Sequence, residues 1–285
     1  MQLMDGKAVA ESVRARAAER VEDFRRRTGR APGLATVLVG DDPASRVYVS
    51  GKHRVSREVG LASFDVVLPA DGTQAQLEAE VDRLASDSDV DGMIVQLPLP
   101  AGLDAEAALA RLPADKDVDG LTTLSQGRLA TGAPGLRPAT PSGVVELLRY
   151  YDVPLRGAHV VIVGRSNLVG KPLVHLLLAE DATVSICHSR TADLPAVTRT
   201  ADVLVAAVGR PRLLGAEHVR DGAFVVDVGI NRLPEGLVGD VDLEAIRGSA
   251  RLATPVPGGV GPMTIAMLVE NTVQAAEARL QRADA

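Results

Sequence analysis

The stretch VVIVGRSNLVGKPLVHLL, residues 160–177, reads as a buried strand, a sharp turn and a helix. A strand that feeds a helix through such a turn is the building unit of a parallel α/β sheet. The turn also leaves helix N–H groups open to an anion. Gly164, Arg165, Ser166 and Gly170 therefore fall where a dinucleotide pyrophosphate would meet them. The spelling departs from G-x-G-x-x-G, because Ser166 takes the place of the second glycine and the next one is Gly170. On spacing alone, an ordinary tight strand-to-helix turn stays open. A hydrolase elbow does not, since G-x-S-x-G needs glycine where this chain has Leu168.

The following strand, TVSIC (183–187), ends in His-Ser-Arg (188–190). An NAD site would carry an acidic residue about 20 positions on, to bind the ribose 2′-hydroxyl. Arg165, Ser189 and Arg190 would instead hold a 2′-phosphate, which points to NADP. Arg190 taken alone also fits a solvated loop.

Outward from this unit, strand and helix patterns alternate from end to end. Val9, Val13, Ala17, Val21 and Phe24 mark one face of a first helix, and an Asp-Asp-Pro turn opens a second. Strands are expected at 34–39, 63–69 and 92–96, with helices at 73–86 and 104–112. Residues 120–141 are rich in Gly, Pro, Ser and Thr and read as a linker or a site-lining loop. A second series follows, with strands at 159–163, 183–187, 203–208 and 224–228. A final helix runs from Met263 to about Leu280. The fold class is α/β.

The bulk numbers narrow the function. The chain has 285 residues, 46% hydrophobic and 24% charged, which suits two packed domains and excludes disorder. A net charge of −6 without basic tracts argues against nucleic acid. Cys187 is the single cysteine, and five scattered histidines show no metal-ligand spacing, so neither a disulfide nor a metal is expected. No apolar run is long enough for a membrane span, and the start lacks a signal-peptide pattern, so a cytoplasmic protein is expected. Local positive charge around Lys52, Arg54 and Arg57 leaves room for a small anionic ligand.

YVSGK (48–52) places Tyr48 and Lys52 one helical turn apart, on one face. A partly buried lysine has a lowered pKa and can trade protons near neutrality, although most lysines are solvated helix residues. Gln96 ends a buried strand, at the edge where open α/β sheets hold ligands, and can orient such a lysine. DKDVDG (115–120) sets three carboxylates around a lysine. It reads as a turn or cap, or as a site in which Asp119 receives hydrogen bonds from a flat heterocycle.

Together YVSGK, VQLPLP, DKDVDG, TPSG (140–143), VVIVGRSNLVGKP, VVDVGINR (225–232) and TPVPGGVGPMT (254–264) resemble the methylenetetrahydrofolate dehydrogenase/cyclohydrolase family. The resemblance covers nearly the whole chain. It implies NADP-dependent oxidation of 5,10-methylenetetrahydrofolate to the methenyl cation, followed by hydrolysis to 10-formyltetrahydrofolate. By the family pattern Lys52 is catalytic, Tyr48 packs on the folate, Gln96 tunes the lysine and Asp119 holds the pterin. Leu97, Pro98, Pro257, Gly258, Gly259 and Val260 would line the folate, and Ile230 would join Gly164, Arg165, Ser166, Gly170 and Ser189 on NADP. The implied architecture is a folate-binding catalytic domain, 1–139, with a helix at 262–285 packing back on it, and a Rossmann-type, doubly wound NADP domain, 140–261. The active site would lie in the cleft between them, in a homodimer.

This chain departs from the family at Ala139, where a cysteine is usual, and at Leu121, Thr122 and Thr123, where a bulky aromatic, histidine and proline are usual. A monofunctional relative and a non-catalytic NADP sensor are the rival readings. Tyr48, Lys52, Gln96 and Asp119 speak for both activities.

Overall fold

Two parallel sheets organise the chain, in a computed structural model that describes residues 1–283. Its elements begin β1 (Gln2–Leu3), α1 (Gly6–Thr28), β2 (Gly33–Val39), α2 (Pro43–Val59), β3 (Ala62–Leu68), α3 (Gln74–Ser86) and β4 (Gly92–Val95). Then come α4 (Ala105–Ala110), α5 (Thr123–Ala130), α6 (Ala139–Tyr150), β5 (His159–Val163), α7 (Gly170–Ala179), β6 (Thr183–Cys187) and α8 (Leu194–Thr198). The chain closes with β7 (Val203–Ala206), β8 (Phe224–Asp227), β9 (Asn231–Leu233), β10 (Gly236–Val238), β11 (Leu252–Ala253) and α9 (Val260–Ala283). Among the described residues no helix is long and apolar enough to cross a membrane.

Contacts divide the chain into two units. One comprises Ser12–Ala139 and the chain from Ile265 onward. Its sheet has the order β3-β2-β4, all parallel. The central strand β2 is buried along its whole length, as a continuous apolar run requires when both faces are covered. Ala35, Val37 and Val39 meet Leu77, Val81 and Leu84 of α3, while Leu34 packs on the other face with Ile94, Val118 and Leu268. Ala17 and Val21 of α1 pack with Val55 and Val59 of α2 and Val269 and Val273 of α9. The start of α2 is fixed by Asp42, whose carboxylate accepts from the Ser45 N–H (2.8 Å), with Pro43 as the first helical residue.

The other unit comprises Met1–Glu11 and Thr140–Thr264. Its six strands are all parallel, in the order β1-β11-β8-β7-β5-β6. Because β6 lies on one side of β5 and β7 on the other, the chain reverses direction across the sheet at β5. In doubly wound folds that switch point opens a crevice at the carboxyl ends of the strands. The first eleven residues group here through β1, which pairs Gln2 with Leu252 and Leu3 with Ala253. A Cβ on Gly6 would collide with the Gly259 carbonyl.

The 120–141 stretch, read as a linker or loop, contains a helix. Thr122 starts α5 by accepting from the Ser125 N–H (3.2 Å), and α6 already begins at Ala139. The last helix starts three residues before Met263, at Val260.

Candidate active site and cofactor cavity

The three-stranded sheet has its own switch point, since β3 and β4 flank β2. The helix after β2 carries Tyr48 and Lys52, and Gln96 follows the end of β4. The lysine is 3% exposed; its Nζ donates to Gln96 Oε1 (3.1 Å) and lies 4.7 Å from the centre of the Tyr48 ring. Burial pulls the Lys52 pKa below that of a free lysine, against the raising effect of the Asp119 charge. Burial also pushes the Asp119 carboxyl above the usual carboxylate range, with Lys52 opposing and Asp117 adding to the shift. Both groups are thus held nearer neutrality than they would be in water. Gln96 is oriented from its other end, because its Nε2 donates to the Leu97 carbonyl (2.7 Å). Of the two neighbouring cations noted in the sequence, Arg54 is engaged by Glu58 (2.6 Å).

The charges of DKDVDG separate into distinct tasks. Asp115 pairs with Arg282 (3.0 Å). The Lys116 ammonium donates to the carbonyls of Leu84, Ala85 and Asp87 at the end of α3. Asp117, fully buried, accepts from the N–H groups of Gly120, Leu121 and Thr122 (2.8–3.1 Å) and so shapes the turn. That leaves Asp119 for Lys52. The departures at Leu121 and Thr122 are accommodated by these bonds and by the α5 cap, and Ala139 packs in the apolar cluster of Leu34, Ile94 and Leu268. Burial and the Arg279 charge pull the Lys116 pKa down, against the raising charges of Asp91, Asp115 and Asp87. Lys116→Met keeps the length and removes the donor from the Leu84, Ala85 and Asp87 carbonyls, of which Leu84's still accepts from the Asp87 N–H. It should destabilise the protein by about 2 kcal/mol, read as a lower urea midpoint at unchanged slope.

In the six-stranded unit, a cavity of about 410 Å³ lies at the carboxyl ends of β5, β6 and β7. Arg165 and Ser166 line it from β5, His188 and Ser189 from β6, and Val208 and Arg210 from β7. Two glycines make its turn possible. A Cβ on Gly164 (φ +125°) would collide with the Ala207 carbonyl, and one on Gly170 with the Gly164 carbonyl. Gly170 therefore supports the turn from behind and is not in the lining. Ser166, where the fingerprint has glycine, accepts from the Val169 N–H (3.1 Å) and closes the turn with its side chain.

Among the described residues no carboxylate lines this cavity, which offers two guanidiniums and the Ser189 hydroxyl. That donor set fits the 2′-phosphate of NADP and gives a free 2′-hydroxyl no acidic partner. Arg190 is not in the lining; its N–H donates to His188 Nδ1 (3.1 Å). Arg210 escaped the sequence reading, since only the order of the strands brings it beside Arg165. Ile230 lies elsewhere, around a smaller cavity of about 220 Å³ that it shares with Asp227, Pro257, Gly258, Gly259 and Val260.

The model of the tetrahydrofolate dehydrogenase/cyclohydrolase catalytic domain matches residues 4–119, and that of the same family's NAD(P)-binding domain matches residues 138–280. The chain belongs to the tetrahydrofolate dehydrogenase/cyclohydrolase family. Among relatives of this family, Bifunctional protein FolD 2 of Frankia casuarinae is 59% identical, over 97% of this chain and 96% of its own. The crystal structure of the bifunctional FolD methylenetetrahydrofolate dehydrogenase/cyclohydrolase of Campylobacter jejuni is 44% identical, with a TM-score of 0.95 over 98% of this chain and 99% of that one. The Trypanosoma brucei FolD structure, a complex with NADP and an inhibitor, is 39% identical, with a TM-score of 0.92 over 97% of each chain. The family's catalytic-domain match contains Tyr48, Lys52, Gln96 and Asp119, and its NAD(P)-binding match contains the lining of the 410 Å³ cavity and, apart from Lys7, that of the 220 Å³ cavity.

Proposed function

We propose that this chain oxidises 5,10-methylenetetrahydrofolate with NADP⁺ and hydrolyses the resulting methenyl cation to 10-formyltetrahydrofolate. The observation that carries the reading is the buried Lys52, hydrogen-bonded to Gln96 and facing the Asp119 charge, in a chain whose dinucleotide cavity has cations and no carboxylate. NADP⁺, when bound, supplies the hydride acceptor. Arg165, Ser189 and Arg210 would hold its 2′-phosphate, and the Gly164–Ser166 turn its pyrophosphate.

Hydrolysis needs proton traffic. A neutral Lys52 amine takes a proton from the water that adds to the methenyl carbon and passes it to the ring nitrogen as the carbon–nitrogen bond breaks, while the remaining hydroxyl proton is released to water as the formyl C=O forms. Gln96 keeps the amine aimed. Tyr48 offers a flat face to the folate, with Leu97 and Pro98 beside it. Asp119 accepts from the pterin N–H groups. Pro257, Gly258, Gly259 and Val260 are assigned to substrate and Ile230 to cofactor, and their shared cavity suits a place where the two ligands meet.

The test is an assay with methylenetetrahydrofolate and NADP⁺, then NAD⁺, then methenyltetrahydrofolate alone. Reduction of NADP⁺ together with decay of the methenyl absorbance is expected; cofactor binding without either reaction would leave the sensor. Hydrolysis should rise with pH along a limb whose apparent pKa lies below the free-lysine value of 10.5, the direction in which burial moves Lys52. Gln96→Leu removes an acceptor that favours the ammonium, so it should move the limb to still lower pH. An upward shift would contradict the tuning role. By the same resemblance the enzyme works in the cytoplasm as a homodimer, and a monomeric mass in light scattering would overturn that state.

A further inference from the structure

Asp240 and Asp227 are buried carboxylates that the chemistry above does not use; they are 0% and 4% exposed. Backbone N–H groups donate most of the hydrogen bonds these carboxylates accept. Asp240 Oδ2 accepts from Val208 N (2.6 Å) and Gly209 N (2.9 Å), and Oδ1 from Arg210 N (2.8 Å) and Asn231 Nδ2 (2.9 Å). Asp227 Oδ1 accepts from the N–H of Gly229 (2.9 Å) and from that of Asp240 itself (3.0 Å), and Oδ2 from Val241 N (2.8 Å). The pair fits only because two neighbours have no side chain. A Cβ on Gly229 would strike the Asp240 carboxylate, and one on Gly239 the Asp227 carboxylate.

Burying two carboxylates side by side is costly, and burial, with the Asp240 charge adding to it, pushes the Asp227 carboxyl up to about 6. What the arrangement achieves lies in the loops it holds. Val208 and Arg210 form one wall of the 410 Å³ cavity, and Asp227 forms part of the 220 Å³ cavity with Ile230 and Gly258. Asp240 bonds directly to the first wall, to Asn231 beside Ile230, and to Asp227.

We propose that Asp240 is a positioning residue for the cofactor, fixing the β7 wall with its Arg210 against the Ile230 wall, so that both ends of a dinucleotide find their seats at one spacing. The inference rests on the NADP reading of these cavities. Asp240→Asn preserves shape but turns an amide NH₂ toward donors that an oxygen now accepts. Calorimetric NADP binding should weaken at least about tenfold, the loss of a charge-assisted hydrogen bond. The KM for NADP should rise while the KM for the folate holds. Methenyl hydrolysis without cofactor should stay within about twofold of the wild-type rate.

NADP affinity equal to wild type in the folded variant would overturn the proposal, as would equal losses in hydrolysis and cofactor binding, the mark of a general structural role. Should Asp240→Asn not fold, Asn231→Asp sets a like charge against Asp240 Oδ1 from a half-buried position. It should weaken NADP at least severalfold, and unchanged binding would overturn the proposal in the same way. Failure of the wild-type enzyme to bind NADP would instead remove the cofactor reading, and this inference with it.

Discussion

Lys52→Met should lower methenyltetrahydrofolate hydrolysis by about 10²- to 10⁴-fold, the usual range for removing a positioned acid–base group. The substitution suits its environment. Position 52 is 3% exposed, and methionine is close to lysine in length and needs no hydration, so the fold should persist. NADP binding should be unchanged in calorimetry, because the phosphate turn belongs to the other unit. The residual rate should also lose its ascending pH limb, since the group with the depressed pKa is gone. A variant that hydrolyses the methenyl cation at the wild-type rate would sink the role given to the lysine.

Much of this site was legible in the sequence because its parts obey local rules. The Tyr48–Lys52 spacing is helical, and Gln96 follows an apolar strand whose end must face the sheet edge. DKDVDG shows where local rules stop. Asp115, Asp117 and Asp119 look alike in the sequence, and only the packed structure sends the first to Arg282, the second to three backbone N–H groups and the third to Lys52. Arg210 was invisible for a related reason: 45 positions after Arg165, it becomes its neighbour only through the order β6-β5-β7. Strand β1 has two residues, too few for alternation to register. In the 120–141 stretch the composition pointed to a loop, and the helix that forms there starts at Thr122, whose hydroxyl accepts from the Ser125 N–H. Arg190 is the converse case, a cation next to Ser189 in the sequence that is not among the residues lining the cavity.

The second large effect concerns cofactor choice. Arg165→Ala should weaken NADP by about 10- to 100-fold, the cost of losing hydrogen bonds from a cation to a phosphate, and should change NAD affinity by less than about twofold. The asymmetry follows from the proposed roles of the lining: the turn at Gly164 and Ser166 would serve the pyrophosphate common to both cofactors, whereas the guanidinium of Arg165 would have a dianion to meet only in NADP. Arg210 enters the same cavity from β7, so the single variant should keep a reduced preference for NADP. Arg165→Ala/Arg210→Ala should erase that remainder, leaving the two cofactors nearly equal. Comparing NADP and NAD binding by calorimetry across the three proteins separates this from a loss of general affinity. Equal losses for both cofactors in Arg165→Ala would mean that the side chain supports the turn itself, and the 2′-phosphate would then have to be held by Ser189 and Arg210 without it.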